Sequence, residues 1–239
     1  MFKYPFVSLP HYSIKINMRT RIKICCISSV EEANLAISLG ADAIGLVGRM
    51  PSGPGPIADE LIYRIAQSVP PMVDTFLLTS ETAAEKIIEH HRRTRTKTIQ
   101  IVDMLKEGTY GQIRDALPAI KIVQVIHVID QGSVEQAIKV SGDVDAILLD
   151  SGNPDLEIKE LGGTGRTHNW DLSRQIRERV KCPVILAGGL KDENVRQAIE
   201  AVTPFAVDVC SGVRTDGKLD EKKLMRFILE AGSVTPTKG

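Results

Sequence analysis

The sequence lacks an excess of charge of either sign and lacks any long apolar run. Its 30 lysines and arginines balance 30 aspartates and glutamates, so no overall field attracts nucleic acid or anionic lipid. Prolines interrupt the first ten residues before a signal peptide could form, and no stretch approaches the length of a membrane span. We therefore expect a cytoplasmic protein that binds neither nucleic acid nor membrane. Any charged ligand must be held by a local site.

Cysteines are also scarce. The four are Cys25, Cys26, Cys182 and Cys210, and no C-x-x-C pair or Cys/His cluster has zinc spacing. This spacing predicts no metal site and favours a reduced setting. Adjacent cysteines such as Cys25 and Cys26 rarely meet disulfide geometry without strain.

What the sequence does contain is a repeated plan of a β-prone run followed by an apolar-periodic helix. The clearest run, Ala146-Ile-Leu-Leu-Asp150, has the continuous apolar character of a parallel strand buried on both faces. Strand signals recur near residues 21, 43, 72, 98, 120, 146, 183 and 205. Eight alternating units predict an α/β fold, a (β/α)8 TIM barrel forming a single domain over residues 20–239, with an N-terminal extension over 1–19. No G-x-G-x-x-G follows the first strand, which argues against a dinucleotide site.

Reactive groups of such barrels lie at the C-terminal ends of the strands. Cys25 alternates with Lys23, so both side chains are predicted to point into the barrel. A thiol of ordinary pKa about 8.5 becomes a useful base if a nearby ammonium lowers that pKa; the alternative is a small buried apolar residue. Asp150 could act as a general acid if burial raises its pKa, or it could simply cap a loop. His127 is more typical of a packing residue.

Two glycine-rich loops follow the last strands of the predicted barrel. Leu186-Ala-Gly-Gly-Leu190 and Val209-Cys-Ser-Gly-Val213 stand where backbone N–H groups of many barrels bind phosphate, and Leu161-Gly-Gly-Thr-Gly-Arg166 could close over them. Each glycine pair alone is also consistent with a plain tight turn. Together, in the last two units, they predict a phosphorylated small-molecule ligand.

These residues resemble the phosphoribosylanthranilate isomerase family of tryptophan biosynthesis. The resemblance runs in order from Lys23 to Ile228 and rests on these segments: Lys23-Ile-Cys25, Gly40-Ala-Asp-Ala-Ile-Gly-Leu-Val47, Ile147-Leu-Leu-Asp150, Gly162-Gly-Thr-Gly165, Pro183-Val-Ile-Leu-Ala-Gly-Gly-Leu190 and Val207-Asp-Val-Cys-Ser-Gly-Val213. It implies an Amadori rearrangement of an N-linked phosphoribosyl aldose to a 1-deoxyketose, without a cofactor. The substrate would be a phosphorylated sugar; the oligomeric state is not implied.

The resemblance also implies residue roles. Cys25 would be the general base and Asp150 the general acid. The phosphate would be held by Gly163, Gly188, Gly189, Ser211 and Gly212. Further candidates for substrate binding are Gln100, Asp208 and Arg49.

The sequence departs from the family pattern around these residues. Cys26 stands where the family has a glycine, Cys210 where it usually has a serine, and Val102 where it has a histidine. The segment Met50-Pro-Ser-Gly-Pro-Gly-Pro56 lacks the arginine that meets the substrate's carboxylate in the family, and Arg49 lies upstream of that place. Two alternatives therefore stay open: an enzyme acting on another phosphorylated sugar, and a non-catalytic barrel that binds a phosphate ligand.

Overall fold

The protein forms a closed barrel of eight parallel strands in a computed structural model that describes residues 19–152, 165 and 167–233. The barrel strands are β1 Arg21–Ile24, β2 Ala43–Val47, β3 Asp74–Thr79, β4 Thr98–Ile101, β5 Lys121–His127, β6 Ala146–Asp150, β7 Val184–Leu186 and β8 Ala206–Val209. The helices are α1 Val30–Ser38, α2 Asp59–Ser68, α3 Ala84–Thr94, α4 Tyr110–Ala116, α5 Gln131–Val140, α6 Trp170–Arg179, α7 Val195–Val202 and α8 Glu221–Gly232.

The barrel closes between its first and last strands. Each strand pairs in parallel with the next along the chain, and β8 returns to β1 with Asp208 opposite Lys23 and Val209 opposite Ile24. The prediction of a single (β/α)8 TIM barrel is confirmed. Because all strands run in one direction, their C-terminal ends open into one mouth, where residues distant in sequence meet.

Strand alternation divides the buried residues into two cores. Side chains such as Ile22, Ile24 and Ile44 face outward and pack beneath the helices. Those at the alternate positions, including Cys25 and Phe76, fill the barrel interior. The inward orientation predicted for Lys23 and Cys25 therefore holds, and it buries both side chains inside the barrel.

Polar side chains fix where several helices begin. The side chains of Ser29, Thr109, Asp130, Asn169 and Asp220 each accept a hydrogen bond from a backbone N–H in the first turn of the helix that follows. Such caps satisfy donors that have no partner inside the helix. They set the length of the loops that surround the mouth.

The structure differs from the sequence prediction at two places. The third strand begins at Asp74 and not at Met72, because Met72 has a φ of 76° and is almost fully exposed. After β8, a 3₁₀ turn at Ser211–Val213 leads into a short antiparallel hairpin, β9 Arg214–Thr215 and β10 Lys218–Leu219, which the sequence did not predict.

Two predictions concern residues that the structure does not describe. Residues 1–18 of the proposed N-terminal extension and the loop residue Gly163 lie outside the described ranges. Within those ranges, no helix combines the length and apolar character needed to cross a membrane.

Candidate active site

A cavity opens at the C-terminal ends of the strands. It contains most of the side chains selected from the sequence. Its polar and small lining residues include Cys25, Cys26, Ser52, Gln100, Asp150, Gly165, Gly188, Gly189, Asp208, Cys210 and Ser211. Its apolar lining includes Val47, Met50, Leu78 and Val102. Burial under the strand ends limits access of water to the two acidic groups and the thiol at the base.

The floor of the cavity holds a buried ion pair beside a thiol. Lys23 Nζ lies 2.9 Å from Asp208 Oδ2, and both side chains are less than a tenth exposed. A Cβ added at Gly45 would come within 2.9 Å of Cys25 Sγ and 3.0 Å of Lys23 Nζ, so the thiol and the ammonium face the same point. Asp208 was a candidate for substrate binding; the structure places one of its oxygens on Lys23 while the residue also lines the cavity.

Burial is the largest influence on the Cys25 thiol. It raises the pKa of the Cys25 thiol to about 11, because desolvation disfavours the thiolate by more than Lys23 stabilises it. The sequence analysis expected a neighbouring ammonium to lower this pKa, and the sign of the net effect is therefore opposite. For Lys23, burial disfavours the ammonium, but Asp208 and Cys25 outweigh it and raise the pKa. Lys23 thus keeps its positive charge beside the thiol.

Asp150 ends β6 and also lines the cavity. Its carboxylate oxygen accepts a hydrogen bond from Ser151 N at 2.7 Å, and the residue is buried. Burial raises the pKa of Asp150, against the opposing effects of the Ser151 N–H and of His127. A carboxyl group with a raised pKa is suited to donate a proton.

His127 lies next to Asp150 in the sheet register. Its Nε2 is 3.0 Å from Val102 O, and because a carbonyl oxygen only accepts, this nitrogen carries the proton. That bond fixes the ring between β4 and β5. The interpretation of His127 as a packing and hydrogen-bonding residue fits this geometry.

Glycines allow the loop after β7 to turn sharply at the cavity rim. Gly188 and Gly189 have φ values of 81° and 61°, in the left-handed region that side chains disfavour. Asn194 holds the loop, since its Oδ1 accepts from Lys191 N at 2.8 Å and its Nδ2 donates to Gly189 O at 3.0 Å. The result is a fixed segment of backbone facing the mouth.

The loop after β8 meets this segment. Gly212 lies so close to it that an added Cβ would be 2.0 Å from Leu190 O. Ser211 is exposed and lines the cavity beside Gly188 and Gly189. Of the residues selected for phosphate binding, the structure therefore groups Gly188, Gly189, Ser211 and Gly212.

Replacing Gly212 by alanine should force these two loops apart. We expect a loss of about 1–3 kcal/mol in the free energy of unfolding, the usual cost of overpacking, because the contact is with backbone. Urea denaturation measures it. Gly142→Ala is the matched control, since an added Cβ there meets nothing within 4 Å. Equal stability of the two variants would contradict the close approach seen here.

The side of the cavity away from the glycine loops is mostly apolar. Val102 and Leu78 line it, and Gln100 Oε1 is buried without a hydrogen-bond partner in the described part of the chain. Arg49 is exposed and is not among the lining residues found in the described ranges. Among these lining residues the charged ones are Asp150 and Asp208, both acids.

Two supports of the site were missed by the sequence analysis. Arg214, in β9, donates to the backbone oxygens of Cys26 and Cys25 and forms an ion pair with Glu32 at 3.0 Å. Cys26 is bonded to Cys210, with a Cα–Cα distance of 5.9 Å. The expectation of reduced cysteines is therefore wrong for this pair, whereas Cys25 and Cys182 are free thiols. No local signal marks either contact, because each joins residues more than 180 positions apart.

The sequence of the chain matches a known protein family. Residues 22–230 match the model of the N-(5'-phosphoribosyl)anthranilate (PRA) isomerase family. The chain belongs to this family. It is 35% identical over 216 residues to the N-(5'-phosphoribosyl)anthranilate isomerase of Methanocella arvoryzae, covering 90% of this chain and 99% of that protein. It is 38% identical over 213 residues to isomerase 2 of Methanosarcina mazei, covering 88% and 93%.

Solved structures of phosphoribosylanthranilate isomerases share the fold. The Thermotoga maritima enzyme superimposes with a TM-score of 0.75 and 32% identity, over 90% of this chain and 100% of that one. A phosphoribosylanthranilate isomerase in complex with reduced 1-(o-carboxyphenylamino)-1-deoxyribulose 5-phosphate gives a TM-score of 0.73 at 30% identity, with the same coverage. The family resemblance inferred from the motifs is confirmed.

Among the described residues, no group of three or more histidine, cysteine or acidic side chains could hold a metal ion.

Proposed function

We propose that this chain isomerises N-(5-phosphoribosyl)anthranilate to the corresponding 1-deoxyribulose by an Amadori rearrangement. The observation that carries the proposal is the placing of a buried thiol, Cys25, and a buried carboxyl group, Asp150, on one cavity floor. Glycine loops of the kind that bind phosphate form one rim of that cavity. Membership of the phosphoribosylanthranilate isomerase family supports the same reaction.

Asp150 is the proposed general acid. Opening of the furanose ring requires a proton on the ring oxygen as its bond to C1′ breaks, and the nitrogen lone pair then forms the Schiff base. Burial raises the pKa of Asp150, which favours the protonated form that this step needs. The Ser151 N–H fixes one carboxyl oxygen, and the other is the proposed proton donor.

Cys25 is the proposed general base. It removes the proton from C2′ of the Schiff base, giving an enolamine that tautomerises to the ketone. The thiolate is costly in this buried site, and the ammonium of Lys23 offsets part of that cost. Asp208 keeps Lys23 in place and charged, so its proposed role is to position Lys23 in addition to bordering the substrate.

The phosphate group would sit on the rim. Gly188, Gly189 and Gly212 supply backbone that a phosphate oxygen can approach, and Ser211 supplies a hydroxyl. Gly163 is proposed by family resemblance alone. Binding of the phosphate at the rim would hold the small sugar between Cys25 and Asp150. It would thereby lower the entropic part of the activation barrier for the isomerisation.

A fluorescence assay of purified protein on freshly generated N-(5-phosphoribosyl)anthranilate tests the proposal. Turnover is the expected result. Binding of a product analogue without turnover would instead favour a non-catalytic phosphate-binding barrel.

A second candidate is an isomerase for a different phosphorylated sugar amine. The apolar wall of Val47, Leu78 and Val102, beside Gln100, contains no cation among the described lining residues to meet a carboxylate. Arg49 could bind that carboxylate only if its side chain moved into the cavity from its exposed position. This wall accepts a neutral aglycone as readily as a charged one.

We therefore expect the enzyme to discriminate weakly between substrates with and without the aglycone carboxylate. The kcat/KM for N-(5-phosphoribosyl)aniline should lie within about tenfold of that for the anthranilate compound, because loss of a charge-assisted bond is what produces larger ratios. Val102→His adds a ring donor to the wall and should increase the preference for the carboxylate. A ratio above about 100-fold in the unmodified protein would mean that a cation does bind this group.

A further inference from the structure

Two cysteines that depart from the family pattern meet at the mouth of the barrel. Cys26 follows β1 where the family has glycine, and Cys210 follows β8 where it usually has serine. They are separated by 184 residues in sequence, yet their Cα atoms are 5.9 Å apart, at the usual spacing of a disulfide. Neither cysteine has a place in the proposed acid–base chemistry.

The bond joins the two halves of the site. Cys25 N donates to Val209 O at 2.8 Å, so β1 and β8 are still paired immediately before the cross-link. Next to the cross-link, the β1 segment carries the proposed base at Cys25, and the β8 segment carries Ser211 and Gly212 of the phosphate rim. Fixing Cys26 to Cys210 therefore fixes the distance between the base and the phosphate rim.

We propose that Cys26 and Cys210 are a thiol–disulfide exchange site that controls how well the site is ordered for its phosphorylated ligand. The disulfide form holds the two loops in the geometry described here. The dithiol form binds phosphate more weakly and is less stable. The effect on turnover rests on the proposed isomerase function; the cross-link and its effect on stability do not.

The exchange partner is a small disulfide such as oxidised glutathione. The thiolate of one cysteine attacks that disulfide, forms a mixed disulfide and releases one glutathione thiolate. The second cysteine then attacks the protein-bound sulfur, forms the Cys26–Cys210 bond and releases the second glutathione. Two protein thiols are oxidised to one disulfide, one glutathione disulfide is reduced to two thiols, and the two protons of the protein thiols end on the two glutathione sulfurs.

The exposure of Cys210 and the contacts that Arg214 makes with the β1 loop make this thiol–disulfide exchange feasible. Cys210 is partly exposed and lines the open mouth, whereas Cys26 is buried. Arg214 donates to Cys26 O and pairs with Glu32, so the β1 loop keeps contacts that do not depend on the sulfur bond. The dithiol form is therefore expected to fold.

Thiol counting and thermal unfolding test the cross-link directly. After treatment with oxidised glutathione, alkylation under denaturing conditions should find two free thiols, and after dithiothreitol it should find four. The reduced protein should unfold about 10 °C lower, since the bond closes a long loop. Four thiols under both conditions, or equal unfolding temperatures, would overturn the proposal.

Variants separate the cross-link from general effects of the reagents. Cys26→Gly restores the family residue and suits the φ of 61° at this position, and Cys210→Ser replaces a single atom. Each should behave like the reduced protein under both conditions. Cys182→Ser should keep the full redox response, because this cysteine lies away from the site and forms no disulfide.

The ligand effect is measured with inorganic phosphate by calorimetry and with substrate by initial rates. The dissociation constant of phosphate and the KM should both rise about 2- to 10-fold on reduction, the scale expected for losing the order of one loop. Unchanged values in the presence of a confirmed disulfide would refute the control of binding. Absence of turnover in both redox states would refute the proposed isomerase and leave the thiol and stability tests intact.

Discussion

Replacing Cys25 by alanine should lower kcat by about 10²- to 10⁴-fold while the protein stays folded. The proposed reaction needs a base at C2′, and removing a positioned base typically has an effect of this size. The side chain is small and buried, so alanine leaves little space and the fold should persist. Initial rates on N-(5-phosphoribosyl)anthranilate, with circular dichroism of both proteins, measure the effect.

Cys182→Ala is the matched control for this variant. Cys182 is also a free thiol but lies outside the lining of the cavity, and its removal should leave kcat within about twofold of the unmodified value. If Cys25→Ala turned over as fast as Cys182→Ala, another group would have to be the base.

The pH dependence carries a second signature of the same thiol. A base must be deprotonated and an acid protonated, so kcat/KM should rise with pH below the lower of the two pKa values and fall above the higher. Burial raises both pKa values, that of Cys25 to about 11. Because the two groups share one cavity, the limbs report the pair. The rising limb should be absent from the residual activity of Cys25→Ala.

Asp150→Asn should lower kcat by a comparable factor, about 10²- to 10⁴-fold, because the furanose ring would open without a proton donor of suitable acidity. Asparagine has nearly the same shape, and its amide oxygen can still accept the hydrogen bond from Ser151 N. Steady-state kinetics should therefore show a loss in kcat with little change in KM.

The control for this variant is Asp115→Asn, an exposed residue of α4. It removes one negative charge without touching the cavity and should leave kcat unchanged. The falling limb of the pH profile should disappear only in Asp150→Asn. A variant that kept both its rate and its falling limb would remove Asp150 from the mechanism.

Much of the site could be located from local sequence because barrel geometry is regular. Strand alternation put Lys23 and Cys25 inside, and a carboxylate at the end of an apolar run put Asp150 at the mouth. The pKa of the Cys25 thiol could not be predicted from the sequence in the same way. The sequence suggested that Lys23 would lower the pKa of Cys25, but the net shift depends on how completely water is excluded, and here burial outweighs the charge.

The start of the third strand could not be predicted from the local sequence either. Met72 continues an apolar run, yet the strand starts at Asp74, where the chain first pairs with β2 at Ala43. A strand end is set by its hydrogen-bonding partner, and the partner is a tertiary property.

The sequence alone determined the number and order of the β/α units, and through them the barrel, because periodicity of apolar residues is a local property that eight repeats make unambiguous. It also determined which residue types reach the mouth. Only the tertiary structure decided what those residues contact: Cys26 with Cys210, Arg214 with the β1 loop, and Lys23 with Asp208. These contacts arise from closure of β8 against β1, which brings the first and last strands of the barrel together and leaves no mark in either segment by itself.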